Sequence, residues 1–284
     1  STNHEYVEVY TRNRAAVERD LKMFREPKPG YSDVMELVAK MNPTYPHPDE
    51  IQNAIKQLYK THIAELRSNV EASGKVWNDA EKKKDPWKGI FNYNRAEYRD
   101  CDGHVVPPEK AKDRDAVIWV WREISPSAPA SKQSSTTKDP DHLNYRYYKP
   151  LHPTSGKPCQ HPKGGWKFPQ HPDPGKPARR SFESLAADDR IAWGDDETKV
   201  PQTKGFLHQV ETNIGTSVFY EYNDGEAEVS SMFGESGVFL SPKSSRFVKR
   251  FVSQTTSKDD VVLDCFGGSG SSGHAVVSLN REDQ

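Results

Sequence analysis

Residues 261–273 read VVLDCFGGSGSSG and concentrate side chains and glycines suited to ligand chemistry. An apolar run ends in an acid, Asp264. An aromatic follows at Phe266, then glycines at 267, 268, 270 and 273, interleaved with Ser269 and Ser271. Glycine permits positive φ and a close approach of backbone to a bound molecule. The helix start expected just beyond offers unpaired N–H groups. Gly268-Ser-Gly270-Ser-Ser-Gly273 satisfies the G-x-G-x-x-G spacing of a dinucleotide turn. Asp264 points elsewhere: four residues before Gly268, it would repel a pyrophosphate and attract the ammonium of an amino-acid ligand. A turn that binds nothing is the remaining reading of the loop taken alone.

Two further groupings invite chemistry. Residues 131–180 carry ten Lys and Arg against three Asp, a local excess of seven in a chain of net charge −1. Tyr145, Tyr147, Tyr148, Trp166 and Phe168 are interleaved with them. Basic residues neutralise phosphates, and aromatic or polar tips on loops can read bases. His152, Cys159, His161 and His171 contain zinc-ligating types, but their spacing matches no standard finger, and no metal is expected. The three cysteines, Cys101, Cys159 and Cys265, are too scattered for a disulfide framework and fit a reducing cytoplasm.

The elements that must position these residues follow from periodicity. Residues 4–13 alternate as a strand. Two helices are expected over 31–70, the second capped by Asp49 and presenting Ile51, Ala54, Ile55, Leu58, Tyr59 and Ile63 on one face. Residues 116–121 (AVIWVW) read as a strand, and 126–180 lose periodicity to proline, glycine, serine and histidine. A short helix near 181–188, a strand at 191–193 and a helix at 206–210 come next. The chain ends in a helix at 245–253 with Phe247, Val248, Phe251 and Val252 facing a core, a strand at 261–264, and a helix from 272. Strand, glycine turn and helix make half of a Rossmann-like unit. No run approaches the ~20 apolar residues of a membrane span, and no leader resembles a signal peptide.

DCFGGSGSSGHAV, preceded by FLSPKSSRFVKRFV, resembles the S-adenosylmethionine loop and preceding helix of adenine-specific DNA methyltransferases. It is most similar to the modification subunits of type III restriction systems. HEYVEVYTRN, YKPLHPTSGKPCQHPKGGW and RIAWGDDETKVPQTKGFL also match, in the family's order. Ser244 departs from a common proline, and Ser271-Ser272 from two threonines. The resemblance implies an α/β, Rossmann-like methyltransferase core interrupted by a large α+β target-recognition region. Residues 1–29 and 236–284 would belong to the core, and 30–235 to recognition. Asp264, Phe266, Gly268, Ser269, Gly270 and Ser271 fall on the loop that cradles the cofactor's methionine part. Lys243, with Pro242, falls on the segment that packs over the cofactor.

The resemblance also implies methyl transfer to the exocyclic nitrogen of a flipped adenine in double-stranded DNA. The acidic-or-amide, proline, proline, aromatic motif that binds that amino group does not appear. Asn42-Pro43-Thr44-Tyr45 reads as a turn, and Val106-Pro107-Pro108-Glu109 lacks the aromatic. The catalytic residues are therefore unassigned, and the chain reads as the middle-to-late portion of a larger enzyme, inactive alone. A restriction nuclease subunit or a second copy are the expected protein partners. Three rivals remain: a non-catalytic DNA-binding or specificity protein with a degenerate loop, an enzyme assembled in trans, and a nicotinamide oxidoreductase.

Overall fold

A computed structural model describes residues 6–20, 23–124, 150–160, 182–216, 219 and 224–282. The chain divides into two compact units, Ser1–Pro27 with Thr212–Gln284, and Lys28–Glu211. In chain order the first unit opens with α1 (Arg14–Arg19) and β1 (Arg25–Pro27). The second supplies α2 (Tyr31–Met41), α3 (Pro48–Ala72), α4 (Asp79–Lys82), β2 (Arg95–Arg99), β3 (Val105–Val106), β4 (Val117–Ile124), α5 (Phe182–Ala187), β5 (Ile191–Ala192) and β6 (Gln202–Phe206). The chain then returns to the first unit with β7 (Thr212–Ile214), α6 (Gly225–Phe233), α7 (Ser245–Thr255) and α8 (Ser271–Glu282).

The second unit is built on an antiparallel sheet of order β3-β2-β4-β6-β5. Strand alternation gives the sheet two different faces. Ala96, Tyr98, Ile118 and Val120 turn one way and join Val34 and Val38 of α2 and Ile51, Ile55 and Tyr59 of α3 in a single core. The i, i+4, i+8 spacing of the α3 residues makes that stripe. The expected face fades before Ile63, which is exposed. The start of α3 also differs from expectation. His47 is the cap, its Nδ1 accepting from the Asp49 N–H at 3.3 Å, and Pro48 takes the first helical position, where its missing N–H costs nothing. Asp49 sits in the first turn, where its charge suits the helix dipole.

The other face carries Arg95, Glu97 and Arg99 of β2, Trp119 and Trp121 of β4, and Lys204 and Phe206 of β6, in cross-strand register. Arg99 is 2% exposed. Its guanidinium pairs with Glu97 at 2.6 Å and donates to the carbonyls of Gly103, Asp188 and Asp189 at 2.5, 3.1 and 2.6 Å. It also stacks near Trp119 and Phe206.

In the first unit β1 and β7 form an antiparallel pair, and α7 packs against α8. Lys249 of α7 reaches Ser278 of α8 at 3.2 Å and pairs with Glu282. Phe247 and Phe251 lie 5.0 Å apart, each edge-on to Phe219, so the expected apolar face of α7 is half-buried. Residues 212–235, which the sequence grouped with the intervening region, belong to this unit.

Three expected elements differ. Residues 6–13 are not a strand; Tyr6 and Tyr10 stand in the open. The helix expected at 206–210 is the end of β6 followed by a single 3-10 turn, because Phe206 pairs with Trp121. Residues 261–264 carry no strand either: Val261 is 92% and Leu263 83% exposed. An apolar run becomes a strand only where a neighbour takes its backbone hydrogen bonds, and no described segment pairs with it. Both described sheets are antiparallel, so the parallel sheet of a Rossmann-like core is not among the described residues.

Candidate functional site

The glycine turn is closed by the Gly270 N–H, which donates to the Gly267 carbonyl at 2.7 Å. The His274 N–H then donates to Gly270 at 3.0 Å, starting α8. Gly268 and Gly270 have φ of +52° and +80°, a region that a Cβ makes costly. A side chain at 267, 270 or 273 would meet no protein atom within 4 Å, so the outer side of the turn is open. At Gly268 the neighbour is the Phe239 ring, 3.4 Å from a built Cβ. The turn is a cradle whose glycines protein packing does not require at three of four places.

Asp264 is exposed and accepts from the Phe266 N–H at 2.9 Å. The Ser272 hydroxyl and that N–H hold its carboxyl below the usual carboxylate range, so it stays charged at neutral pH. Phe266 itself is 93% exposed. Ser271 donates to the Lys243 carbonyl at 2.6 Å and sits 2.9 Å from the Ser269 hydroxyl. Six expected residues thus lie in one turn, and the seventh, Lys243, joins them through its backbone; its side chain is exposed.

Residues from α6 complete this arrangement, and none was expected from the sequence. Gly225 lies under the 242–243 backbone so closely that a Cβ would sit 2.2 Å from the Pro242 carbonyl oxygen. Glu228 accepts from the Ser245 N–H at 2.9 Å and from the Ser245 hydroxyl, capping α7, and its carboxylate reaches His274 Nδ1 of α8 at 2.7 Å. Arg246 pairs with Asp224 at 2.6 Å. The signal was Gly225-x-x-Glu228 behind an aspartate, a short pattern easily passed over. Glu228→Ala is expected to destabilise the unit by about 1–2 kcal/mol, the scale of a lost helix cap, and urea unfolding would measure it.

Asn42-Pro43-Thr44 is a 3-10 turn, and the Asn42 side chain accepts from the Ile118 N–H at 2.9 Å, which ties it to the sheet. Of the basic segment, only Lys157 is described, paired with Glu197 at 3.2 Å; its other charges and its aromatics lie outside the described residues. So do His161 and His171. His152 and Cys159 are buried, and burial pushes the Cys159 thiol up. Asp100, Asp102 and His104 bring possible metal-binding atoms within 4.8 Å of one another, but Asp100 already accepts from the Asp102 and His104 N–H groups.

A sequence profile of a family described as DNA methylase matches residues 1–282. The chain is 23% identical over 288 residues to the type III restriction-modification enzyme EcoP15I Mod subunit of Escherichia coli, covering all of this chain and 34% of that protein. It is 34% identical over 122 residues to the StyLTI Mod subunit of Salmonella typhimurium, covering 42% of this chain and 17% of that protein. The chain therefore spans about a third of the first relative's length and less of the second.

Proposed function

Because the chain belongs to the DNA methylase family, we propose that it serves S-adenosylmethionine-dependent methylation of the adenine exocyclic amino group in DNA, within a restriction-modification system. The observation that carries this reading is the open glycine turn with a charged Asp264 on it and the Lys243 backbone held against it by Ser271. The fit is chemical. The ligand's amino-acid end carries an ammonium, which an ionised carboxylate attracts, and the turn's glycines leave backbone accessible on the side where a ligand would lie. The cofactor, when bound, supplies an activated methyl group. Asp264, Phe266, Gly268, Ser269, Gly270, Ser271 and Lys243 hold and orient it. The 261–264 run and α8 are read as parts of a Rossmann-like core.

The region between, 30–235 in the sequence reading, is assigned to target recognition on duplex DNA, with its basic segment 131–180 gripping phosphates. The relatives' names speak of restriction-modification enzymes and their Mod subunits, and a nuclease subunit or a second copy is the proposed protein partner. A DNA substrate is compatible with the cytoplasm, which is the proposed location. No helix among the described residues is long and apolar enough to cross a membrane.

The non-catalytic reading keeps one observation in its favour: Ser244 stands in place of a common proline and Ser271-Ser272 in place of two threonines. One experiment decides between the two. The full-length protein is incubated with duplex DNA and methyl-labelled S-adenosylmethionine, and the nucleosides are resolved by mass spectrometry. Label at adenine N6 is the expected result. Label confined to cytosine overturns the adenine assignment, and DNA binding without cofactor binding supports the non-catalytic protein.

A further inference from the structure

We infer that Glu228 and His274 are positioning residues for cofactor binding. The hydrogen bond between them presets the glycine turn against the 242–245 segment, so the ligand meets a cradle already shaped. The inference rests on the reading that this turn holds S-adenosylmethionine.

The turn needs holding from outside. Glycine loses more conformational freedom on ordering than any other residue, and four of the seven residues 267–273 are glycine. Residues 261–268 are exposed. At 267, 270 and 273 no protein atom stands close enough to press on a side chain. The firm end is α8, where Ala275 is fully buried. A tie that fixes the turn therefore belongs at the start of α8.

Glu228 acts there from a seated platform. Gly225, Glu228 and Val229 share one face of α6 by their i, i+3, i+4 spacing. Gly225 lies against the 242–243 backbone with no room for a side chain, and Val229 is buried. The carboxylate between them spans two segments. Its Oε2 accepts from the Ser245 N–H at 2.9 Å, while Oε1 accepts from the Ser245 hydroxyl and lies 2.7 Å from His274 Nδ1. A carboxylate only accepts, so that ring nitrogen carries a proton. Ser271 makes a second link beside it, donating to the Lys243 carbonyl at 2.6 Å. The two parts proposed to contact the ligand are thus tied twice, and Glu228 is the tie that neither of them supplies. With His274 44% and Glu228 20% exposed, the pair adds little to global stability. Its effect is local: the ligand need not order a glycine-rich turn as it arrives.

The test takes the full-length protein, calorimetry with S-adenosylmethionine, and hydrogen exchange without it. Glu228→Ala would also uncap α7, so His274 is the side to vary. His274→Ala, which suits a helix, is expected to raise the dissociation constant about fivefold, the upper end of what a half-exposed pair of this kind contributes. The backbone of 265–273 should exchange faster in that variant without ligand. His274→Asn, whose amide N–H falls where Nδ1 stood, should restore both. A merely structural role would instead lower the melting temperature and quicken exchange throughout the unit, with asparagine helping no more than alanine. That pattern overturns the inference, as does an unchanged dissociation constant or unchanged exchange in His274→Ala. No binding by the native protein overturns the cofactor reading itself, and the inference with it. Should His274→Ala fail to fold, His274→Gln replaces it, since glutamine puts its amide nitrogen at the Nε2 position and leaves the Nδ1 position without a donor.

Discussion

Asp264→Ala in the full-length protein is expected to weaken S-adenosylmethionine binding at least about tenfold, the scale of a lost charge-assisted hydrogen bond, with the melting temperature unchanged. The carboxylate is exposed, so its removal leaves no cavity, and its hydrogen bond to the Phe266 N–H can be replaced by water. Asp264→Asn keeps the shape and removes the charge, and should bind as weakly as the alanine variant. The pH dependence has a definite sign. Hydrogen bonds from the Ser272 hydroxyl and the Phe266 N–H hold the folded carboxyl below its ordinary value. The charged form therefore persists as pH falls through the usual carboxylate range, and the Asp264 contribution to binding is lost only below it. Gly267→Ala sharpens the test. A methyl group there would touch no protein atom within 4 Å, so weaker binding in that variant reports a ligand lying against the turn. Calorimetry measures all three, and native affinity in Asp264→Ala would sink the assignment.

How much of this the sequence disclosed depends on what each residue needs from its surroundings. The apolar stripe of α3 needs only its own helix to be visible, and Ile51, Ile55 and Tyr59 are buried as their spacing predicts. The glycine turn is equally local: positive φ at Gly268 and Gly270 demands glycine, and the sequence has it. Strands are different, because a strand exists only through a partner. Residues 6–13 and 261–264 have strand-like patterns and no described partner, while Gln202–Phe206 has a weak pattern and becomes β6 because β4 and β5 flank it. Glu228 was invisible for a related reason. Its role lies in contacts with Ser245 and His274, distant in sequence, and nothing in a GEAE stretch announces them.

Arg99→Leu is expected to cost about 3–5 kcal/mol of stability, the range seen when one member of a buried ion pair is removed, measured by urea unfolding of the full-length protein. The guanidinium binds the β2 strand to the 188–189 turn through two carbonyls and to the 99–104 hairpin through a third. Leucine supplies none of these donors. It leaves Glu97 buried with Lys204 as its remaining partner, and three carbonyls must find water in a face where Trp119 and Phe206 exclude it. Arg99→Lys should recover little, because a single ammonium cannot span a fan of acceptors that a planar five-donor fork reaches at once. A loss below about 1 kcal/mol in Arg99→Leu would mean that the fan of carbonyl contacts is incidental. The second face of the sheet would then have to be held in shape by its aromatic packing alone.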